Sequence, residues 1–242
     1  MTPEKARQEY DAQGFLYFPN ALSPDELHAV QKAFDRAADD KALADILNRE
    51  EIFLKMIDHP AWFPAIREVV GEDVMLRYAK GGVISPNSGT GSGWHCDLST
   101  IRAVDLPESI VMTKLFVYLT DVPENGACLG VVPGSHRYAL GHPLPDINRH
   151  EDMPHHRKMV VKAGDAVLMN GYTWHARFPN RSDGPRKVLE QSYIHFWMKQ
   201  QYEFTDFVPE TQEQIFESHT LRQLLGVPEP GKTDWERRLE SC

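Results

Sequence analysis

The feature that most constrains the fold is a series of short apolar segments, separated by turn residues, between Val74 and Met198. Segments of this length with proline, glycine and asparagine between them are typical of antiparallel strands and not of alternating strands and helices. The pattern therefore predicts a mainly β fold of the sandwich or jelly-roll type. The strand candidates are residues 74–76, 110–120, 127–132, 158–162, 166–169 and 188–198.

Helical patterns flank this region. Thr2-Pro3-Glu4 and Ser23-Pro24-Asp25-Glu26 each begin a helix with a capping residue followed by proline. Residues 60–70 form an amphipathic helix that ends at Gly71, and Phe15-Leu16-Tyr17-Phe18 forms a short strand. Further helices are predicted at about 210–225 and 233–240.

We find no internal repeat or linker composition, which favours one domain over residues 1–242. We divide it into a helical front at about 1–72, a jelly-roll core at about 73–200 and C-terminal helices at about 205–242.

Composition excludes several classes of function. The formal net charge of −9 argues against a nucleic-acid partner. The three cysteines contain no CxxC pair, so neither a disulfide framework nor a thiolate zinc site is indicated. No secretory signal, membrane span or Ser-Lys-Leu ending is present in the sequence. We expect a cytoplasmic protein with a small-molecule substrate, no membrane contact and no obligate protein partner.

His95 and Asp97 are the first candidate metal ligands. They lie at a predicted strand start after a glycine-rich loop, and residues two apart in a strand point to the same face. A third ligand must come from a distant strand, and His175, at the end of the segment that begins at Ala166, is the strongest candidate. Two histidines and one carboxylate leave coordination positions open, as oxygen-activating non-heme iron(II) requires. The spacing alone is a weak signal, because a solvated or helix-capping pair has the same pattern.

Arg186 follows His175 by eleven residues, across a segment whose Pro179-Asn180 and Gly184-Pro185 predict a turn. The next strand would bring this guanidinium back toward the metal, where its planar fork suits the distal carboxylate of a dicarboxylic acid. The alternative is a surface arginine at the exit of a hairpin.

These motifs, in this order, resemble the phytanoyl-CoA dioxygenase family of iron(II)/2-oxoglutarate oxygenases. The resemblance covers roughly residues 8–200. Its motifs are Tyr10 to Phe15, Trp94-His95-Cys96-Asp97, Leu119 to Gly126, Val132-Pro133-Gly134-Ser135-His136, and His175 with Pro179-Asn180-Arg181-Ser182 and Arg186.

The resemblance implies a double-stranded β-helix, a cupin-like jelly roll closed on one side by helices. It implies that His95, Asp97 and His175 hold Fe(II), that Arg186 binds 2-oxoglutarate, and that O₂ is a cosubstrate, with ascorbate as an in vitro reductant. Relatives often have a small polar residue where this chain has Arg177, so we name Thr113 and Lys114 as further candidate contacts to 2-oxoglutarate.

The implied reaction is hydroxylation of an unactivated C–H bond of a small soluble metabolite, with release of succinate and CO₂. Halogenases of related fold replace the carboxylate at the position of Asp97, so its presence favours hydroxylation, although desaturation or ring formation would use the same site. Two alternatives remain. A zinc or nickel jelly-roll hydrolase or isomerase leaves Arg186 unexplained, and a catalytically silent binding module predicts no turnover. The histidines between 150 and 156 are expected in a solvated loop.

Overall fold

The computed structural model of the chain describes residues 2–39, 43–98, 112–137, 143–201 and 209–227. The strands in these ranges are β1 Phe15–Phe18, β2 Val74–Ile84, β3 Met112–Tyr118, β4 Leu129–Val131, β5 Arg157–Met159, β6 Ala166–Asn170, β7 His175–Arg177 and β8 Arg186–His195. The α-helices are α1 Pro3–Gln13, α2 Pro24–Asp39, α3 Glu51–Ile57, α4 Phe63–Val70, α5 Pro209–Glu217 and α6 His219–Leu225. Short 3₁₀ helices span Leu43–Asn48, Ser135–Arg137 and His150–Asp152. The helix predicted at 233–240 lies outside the described residues.

The strands form two antiparallel sheets. One has five strands in the order β1-β6-β3-β8-β2, and the other has three in the order β5-β4-β7. The neighbours of β3 are β6 and β8, which come from much later in the chain. Apolar residues from both sheets pack in a shared cluster, so the sheets face each other. This arrangement is a jelly roll with flanking helices, and it confirms the predicted fold class.

Alternation along β3 separates two cores. Leu115 and Val117 pack with the helices, whereas Phe116 and Tyr118 pack in the interior between the two sheets. Successive strand residues point to opposite faces, so one strand serves both layers. The even-numbered residues of β3 therefore line the interior, where the candidate site lies.

The N-terminal segment is fixed by its caps. The Thr2 hydroxyl accepts a hydrogen bond from the Lys5 amide at the start of α1, and Gly14 ends this helix in the left-handed region at φ 82°. A Cβ at Gly14 would lie 2.5 Å from both His136 Nδ1 and Thr173 Oγ1. Only glycine fits the turn from α1 into β1 at this close approach.

Several strands differ from their predicted bounds. The sequence predicts a strand at 74–76 followed by a loop, but β2 continues to Ile84 through Gly81 and Gly82. A Cβ at Gly81 would lie 2.6 Å from Leu43 and 2.7 Å from Phe34, so the glycine lets the helical layer cross the strand closely. In addition, β8 begins at Arg186 and not at 188, and β5 is shorter than predicted.

None of the helices in the described residues combines the length and the apolar character needed to cross a bilayer.

Candidate metal centre

Backbone pairing brings His95 and His175 together. The His95 amide donates to the His175 carbonyl at 2.9 Å, and the His175 amide donates to the His95 carbonyl at 2.8 Å. This isolated antiparallel bridge places the two imidazoles side by side, with ring centroids 4.2 Å apart. Two histidines that are 80 positions apart in the printed sequence are thus neighbours.

Asp97 completes the group from the same segment as His95. Its amide donates to the Gly171 carbonyl at 3.0 Å, which holds the chain extended beside the strand that leads to His175. Asp97 Oδ2 lies 3.7 Å from His175 Nε2, and Asp97 Oδ1 lies 3.8 Å from His95 Nε2. One ligand atom from each of the three residues lies within 4.8 Å of the others.

The hydrogen bonds of both imidazoles fix which ring nitrogen faces the group. His95 Nδ1 lies 2.8 Å from the Gly93 carbonyl oxygen, and His175 Nδ1 lies 2.9 Å from the Thr173 carbonyl oxygen. A carbonyl oxygen only accepts, so each Nδ1 carries the proton and donates. Each Nε2 is therefore left with a lone pair directed toward Asp97, as a metal ligand requires.

His175 and Asp97 are held in the ionisation states that metal binding requires. Burial lowers the pKa of His175 to about 4, so its imidazole is neutral at physiological pH. Burial also opposes ionisation of Asp97, but favourable interactions with His175 and Lys114 outweigh it, and its pKa lies below the ordinary value. The His95 side chain is 44% exposed and the Asp97 side chain 13%, so the group opens to solvent beside His95.

One orphaned atom supports a metal at this point. Asp97 Oδ2 is buried and has no hydrogen-bond partner within the described residues. A buried carboxylate oxygen without a partner is costly, and a divalent cation would satisfy it. Two neutral imidazole nitrogens and one carboxylate oxygen suit a first-row transition metal with open coordination positions. The three residues therefore fit the metal that the sequence predicts for them.

Arg186 enters the interior from the first position of β8. It is only 7% exposed, and its guanidinium carbon lies 5.3 Å from the centroid of the Tyr118 ring. Its Nε is buried without a hydrogen-bond partner, and no carboxylate of the described residues pairs with it. Arg177, two residues after His175, feels the charge of Arg186. Burial and the Arg186 charge both lower the pKa of Arg177. A buried guanidinium in this state suits an anionic ligand.

Thr113, the other predicted contact to 2-oxoglutarate on β3, bonds within the helix-facing layer. Its hydroxyl accepts from the Tyr10 hydroxyl at 2.8 Å and donates to the Met169 carbonyl at 2.9 Å. Thr113 is fully buried on the helix-facing side of β3, opposite Lys114. Its hydroxyl therefore faces away from the interior, and a contact between Thr113 and 2-oxoglutarate stays a prediction that these hydrogen bonds do not support.

Lys114 lies at the metal centre itself. Its Nζ donates to Asp97 Oδ1 at 2.8 Å and lies 3.5 Å from Glu190 Oε1. Glu190 also accepts from the Tyr78 hydroxyl at 2.5 Å, and Lys80 Nζ lies 3.7 Å from its second oxygen. Sequence reasoning did not identify Glu190 or Tyr78 as members of this group. Counting in steps of two along β8 from Arg186 would have placed Glu190 on the same face.

Arg177 holds the loop that precedes His95 and Asp97. Its amide donates to Ser92 Oγ at 2.8 Å, and its guanidinium donates to the Thr90 carbonyl at 3.2 Å. The departure from the family pattern at this position thus serves the loop before His95.

The histidines at 150 and 156 are not simply solvated, contrary to expectation. His150 Nε2 lies 2.7 Å from the Ser92 carbonyl oxygen, and both imidazoles pack against the Phe178 ring. Trp94 Nε1 donates to the His150 carbonyl at 3.0 Å. This segment therefore braces the loop before His95 from outside.

Comparison with known proteins gives the family. The model of the phytanoyl-CoA dioxygenase (PhyH) family matches residues 10–188. The match covers most of the chain, and the chain belongs to this family.

Curated relatives and solved structures share parts of the chain. An ectoine dioxygenase of Nocardia farcinica is 30% identical over 53% of this chain and 49% of its own length. An ectoine dioxygenase of Bordetella bronchiseptica is 28% identical over 77% of this chain and 73% of its own length. The chain spans about half the length of the first curated relatives it matches, 51% for that of Streptomyces coelicolor and 49% for that of Nocardia farcinica.

Among solved structures, HygX from Streptomyces hygroscopicus with nickel and 2-oxoglutarate bound superposes with a TM-score of 0.69 at 18% identity, covering 88% of this chain and 94% of that one. The non-heme alpha ketoglutarate dependent carbocyclase SnoK superposes with a TM-score of 0.64 at 21% identity, covering 81% of this chain and 86% of that one. These likenesses establish a shared fold.

Proposed function

We propose that this chain is an Fe(II)/2-oxoglutarate-dependent oxygenase whose metal ligands are His95, Asp97 and His175. The observation that carries the proposal is the convergence of two Nε2 atoms and one unpartnered carboxylate oxygen, all within 4.8 Å. Relatives named ectoine dioxygenase and a fold neighbour solved with nickel and 2-oxoglutarate support it.

Each residue has a definite task in this proposal. The Nδ1 bonds of the two imidazoles orient their Nε2 lone pairs, so little reorganisation is needed when the ion binds. Arg186 pairs with the distal carboxylate of 2-oxoglutarate and directs the keto acid end toward the metal. Iron with 2-oxoglutarate supplies the oxidative decarboxylation that activates O₂, a chemistry that belongs to the cofactor. The apolar cluster around Cys96 and Met112 excludes water from one side of the site, and the opposite side opens to solvent beside His95.

Hydroxylation of a C–H bond is the reaction we propose. The carboxylate of Asp97 occupies the position that a halogenase leaves to chloride, which supports oxygen transfer. A fold neighbour described as a carbocyclase has the same architecture. The choice between hydroxylation and ring formation therefore depends on the substrate that the interior accepts.

The substrate we propose is a small polar metabolite. The interior next to the metal centre carries Tyr78, Lys80, Glu190 and Ser192, and Ser192 Oγ is buried without a hydrogen-bond partner. The first three pair with one another and make this wall polar, whereas the open Ser192 hydroxyl suits a polar substituent and would stay unpaired beside a long acyl chain. Relatives named for ectoine, a small molecule, agree with this class.

Succinate formation tests the proposed activity. The protein is incubated with Fe(II), 2-oxoglutarate, ascorbate and air, with and without a library of small polar metabolites. We expect slow succinate release without a substrate and faster release with a true substrate. Hydroxylation should also give a product heavier than the substrate by one oxygen atom, about 16 Da. Iron binding without succinate under every condition would favour a silent binding module. Turnover of a substrate without 2-oxoglutarate would favour a hydrolase or isomerase.

A further inference from the structure

Lys114 occupies an unusual place for a charged side chain. It lies on β3, the central strand of the five-stranded sheet, with its side chain only 14% exposed and directed into the interior. A buried ammonium group is stable only where it is paired and hydrogen-bonded. Its partners are Asp97 Oδ1 at 2.8 Å and Glu190 Oε1 at 3.5 Å, so it joins the metal centre to β8.

Glu190 holds Lys114 from behind. It accepts a hydrogen bond from the Tyr78 hydroxyl at 2.5 Å, and its side chain is 17% exposed. Burial and the Glu190 charge both raise the pKa of Tyr78, which keeps this hydroxyl protonated as a donor. Tyr78 and Lys114 both lie opposite Ser192 on the two sides of β8. Lys114, Glu190 and Tyr78 come from the adjacent strands β3, β8 and β2, and this arrangement leaves the ammonium group little freedom.

The result is a difference between the two oxygens of Asp97. Oδ1 is occupied by the ammonium group, whereas Oδ2 is buried, unpartnered and 3.7 Å from His175 Nε2. A free carboxylate can bind a metal through one oxygen or through both. Binding through both would take one of the positions that a bidentate cosubstrate and O₂ need.

We propose that Lys114 is a positioning residue that restricts Asp97 to binding the metal through Oδ2 alone. This inference rests on the proposed function, because it concerns the same metal site. Lys114 keeps three coordination positions free by occupying Oδ1, and Glu190 and Tyr78 keep Lys114 in place. The residue acts through Asp97 and does not itself touch the reacting atoms.

The test measures metal binding and cosubstrate binding separately in Lys114→Met, which keeps most of the side-chain length and removes the charge. Mn(II) serves as a redox-stable metal, and 2-oxoglutarate binding is titrated without oxygen. Loss of an outer partner of a metal ligand typically reduces metal affinity or activity about 10- to 100-fold. Here we expect a rise of this size in the Kd for 2-oxoglutarate, because the second carboxylate oxygen takes a coordination position, while the Kd for Mn(II) does not rise. Difference infrared spectra of the carboxylate stretches should change from the pattern of one-oxygen binding to that of two-oxygen binding.

Three further variants keep the result interpretable. Lys114→Arg retains a donor cation and should preserve the one-oxygen pattern. Glu190→Gln loosens Lys114 from behind and should shift 2-oxoglutarate binding in the same direction as Lys114→Met, which provides the test if that variant does not fold. Lys187 is also on β8 but lies outside the site, where it pairs with Asp35 of α2. The Lys187→Met protein should bind both ligands as the wild type does.

Several results would overturn the inference. An unchanged infrared pattern and unchanged 2-oxoglutarate affinity in Lys114→Met would remove Lys114 from this role and leave the proposed function standing. A parallel loss of Mn(II) affinity and thermal stability would show a purely structural role. A wild-type protein that binds no Mn(II), or that binds it equally well after His175→Ala, would remove the metal site itself and the inference with it.

Discussion

At the scale of single residues, the site is built by carbonyl groups that fix its ligands. Gly93 and Thr173 orient the imidazoles of His95 and His175 through Nδ1, which leaves both Nε2 atoms free. The same principle applies to Arg186, whose guanidinium is buried near aromatic and apolar groups without a carboxylate of the described residues. A buried cation in this state is strongly destabilising unless a ligand pairs with it.

Arg186→Ala should therefore act on 2-oxoglutarate and not on the substrate. A charge-assisted hydrogen bond contributes about 1.5–3 kcal/mol, so we expect the KM for 2-oxoglutarate to rise about 10- to 150-fold. The KM for the prime substrate should change far less. Steady-state kinetics with each ligand varied in turn measure both effects.

The matched control is Arg181→Ala, which removes an exposed arginine from the same turn. Its kinetics should equal those of the wild type. An unchanged KM for 2-oxoglutarate in Arg186→Ala would move the carboxylate anchor to another residue.

Strand alternation explains which site residues the sequence reveals. His95, Asp97, His175 and Arg186 could be predicted because a known set of motifs recurs in order and because residues two apart share a face. Thr113 and Lys114 could not both face the site, since neighbours on a strand point to opposite faces. Only the register of β3 against its neighbours shows which one points inward.

At the scale of elements, the start of α2 is a reciprocal cap. The Ser23 hydroxyl lies 3.3 Å from the Glu26 amide, which donates to it, and the Glu26 carboxylate accepts from the Ser23 amide at 2.8 Å. This capping box was readable from the sequence, because Ser-Pro-Asp-Glu has the required spacing. The continuation of β2 through Gly81 and Gly82 was not readable, because only the packing of Phe34 and Leu43 explains glycine there.

Ser23→Ala should lower the free energy of unfolding by about 1 kcal/mol, the typical contribution of such a cap. Urea denaturation measures it, and Ser85→Ala, at an exposed position just after β2, should have no effect.

The loss of unfolding free energy in Ser23→Ala should also depend on pH. Hydrogen bonds from Ser23 lower the pKa of Glu26 from its ordinary value of 4.5 to about 2. This contribution is present above the ordinary pKa and is lost as pH falls toward the folded value. A Ser23→Ala effect that stays constant from pH 7 to about pH 3 would contradict the capping box.

At the scale of the whole molecule, the candidate metal centre connects distant parts of the chain. The 95–97 segment and β7 are linked through an isolated bridge, and Lys114 extends the connection to β3 and β8. A metal bound only by the folded state stabilises that state according to its free concentration. The protein should therefore become more resistant to heat when the ion binds.

Mn(II) at about 100 times its Kd should stabilise the fold by about 2.7 kcal/mol. For a chain of this size the Tm should rise by about 5–10 °C. Differential scanning calorimetry measures the shift, and addition of EDTA should reverse it. The His175→Ala protein should fold and show a much smaller shift. An equal shift in this variant would place the ion elsewhere.

The most direct measurement for the central claim is a crystal structure with Mn(II) and 2-oxoglutarate, recorded with anomalous scattering from the metal. The account predicts a single strong anomalous peak bonded to His95 Nε2, Asp97 Oδ2 and His175 Nε2, with the distal carboxylate of 2-oxoglutarate on Arg186. A peak away from these three atoms, or a 2-oxoglutarate molecule that leaves Arg186 unpaired, would contradict it.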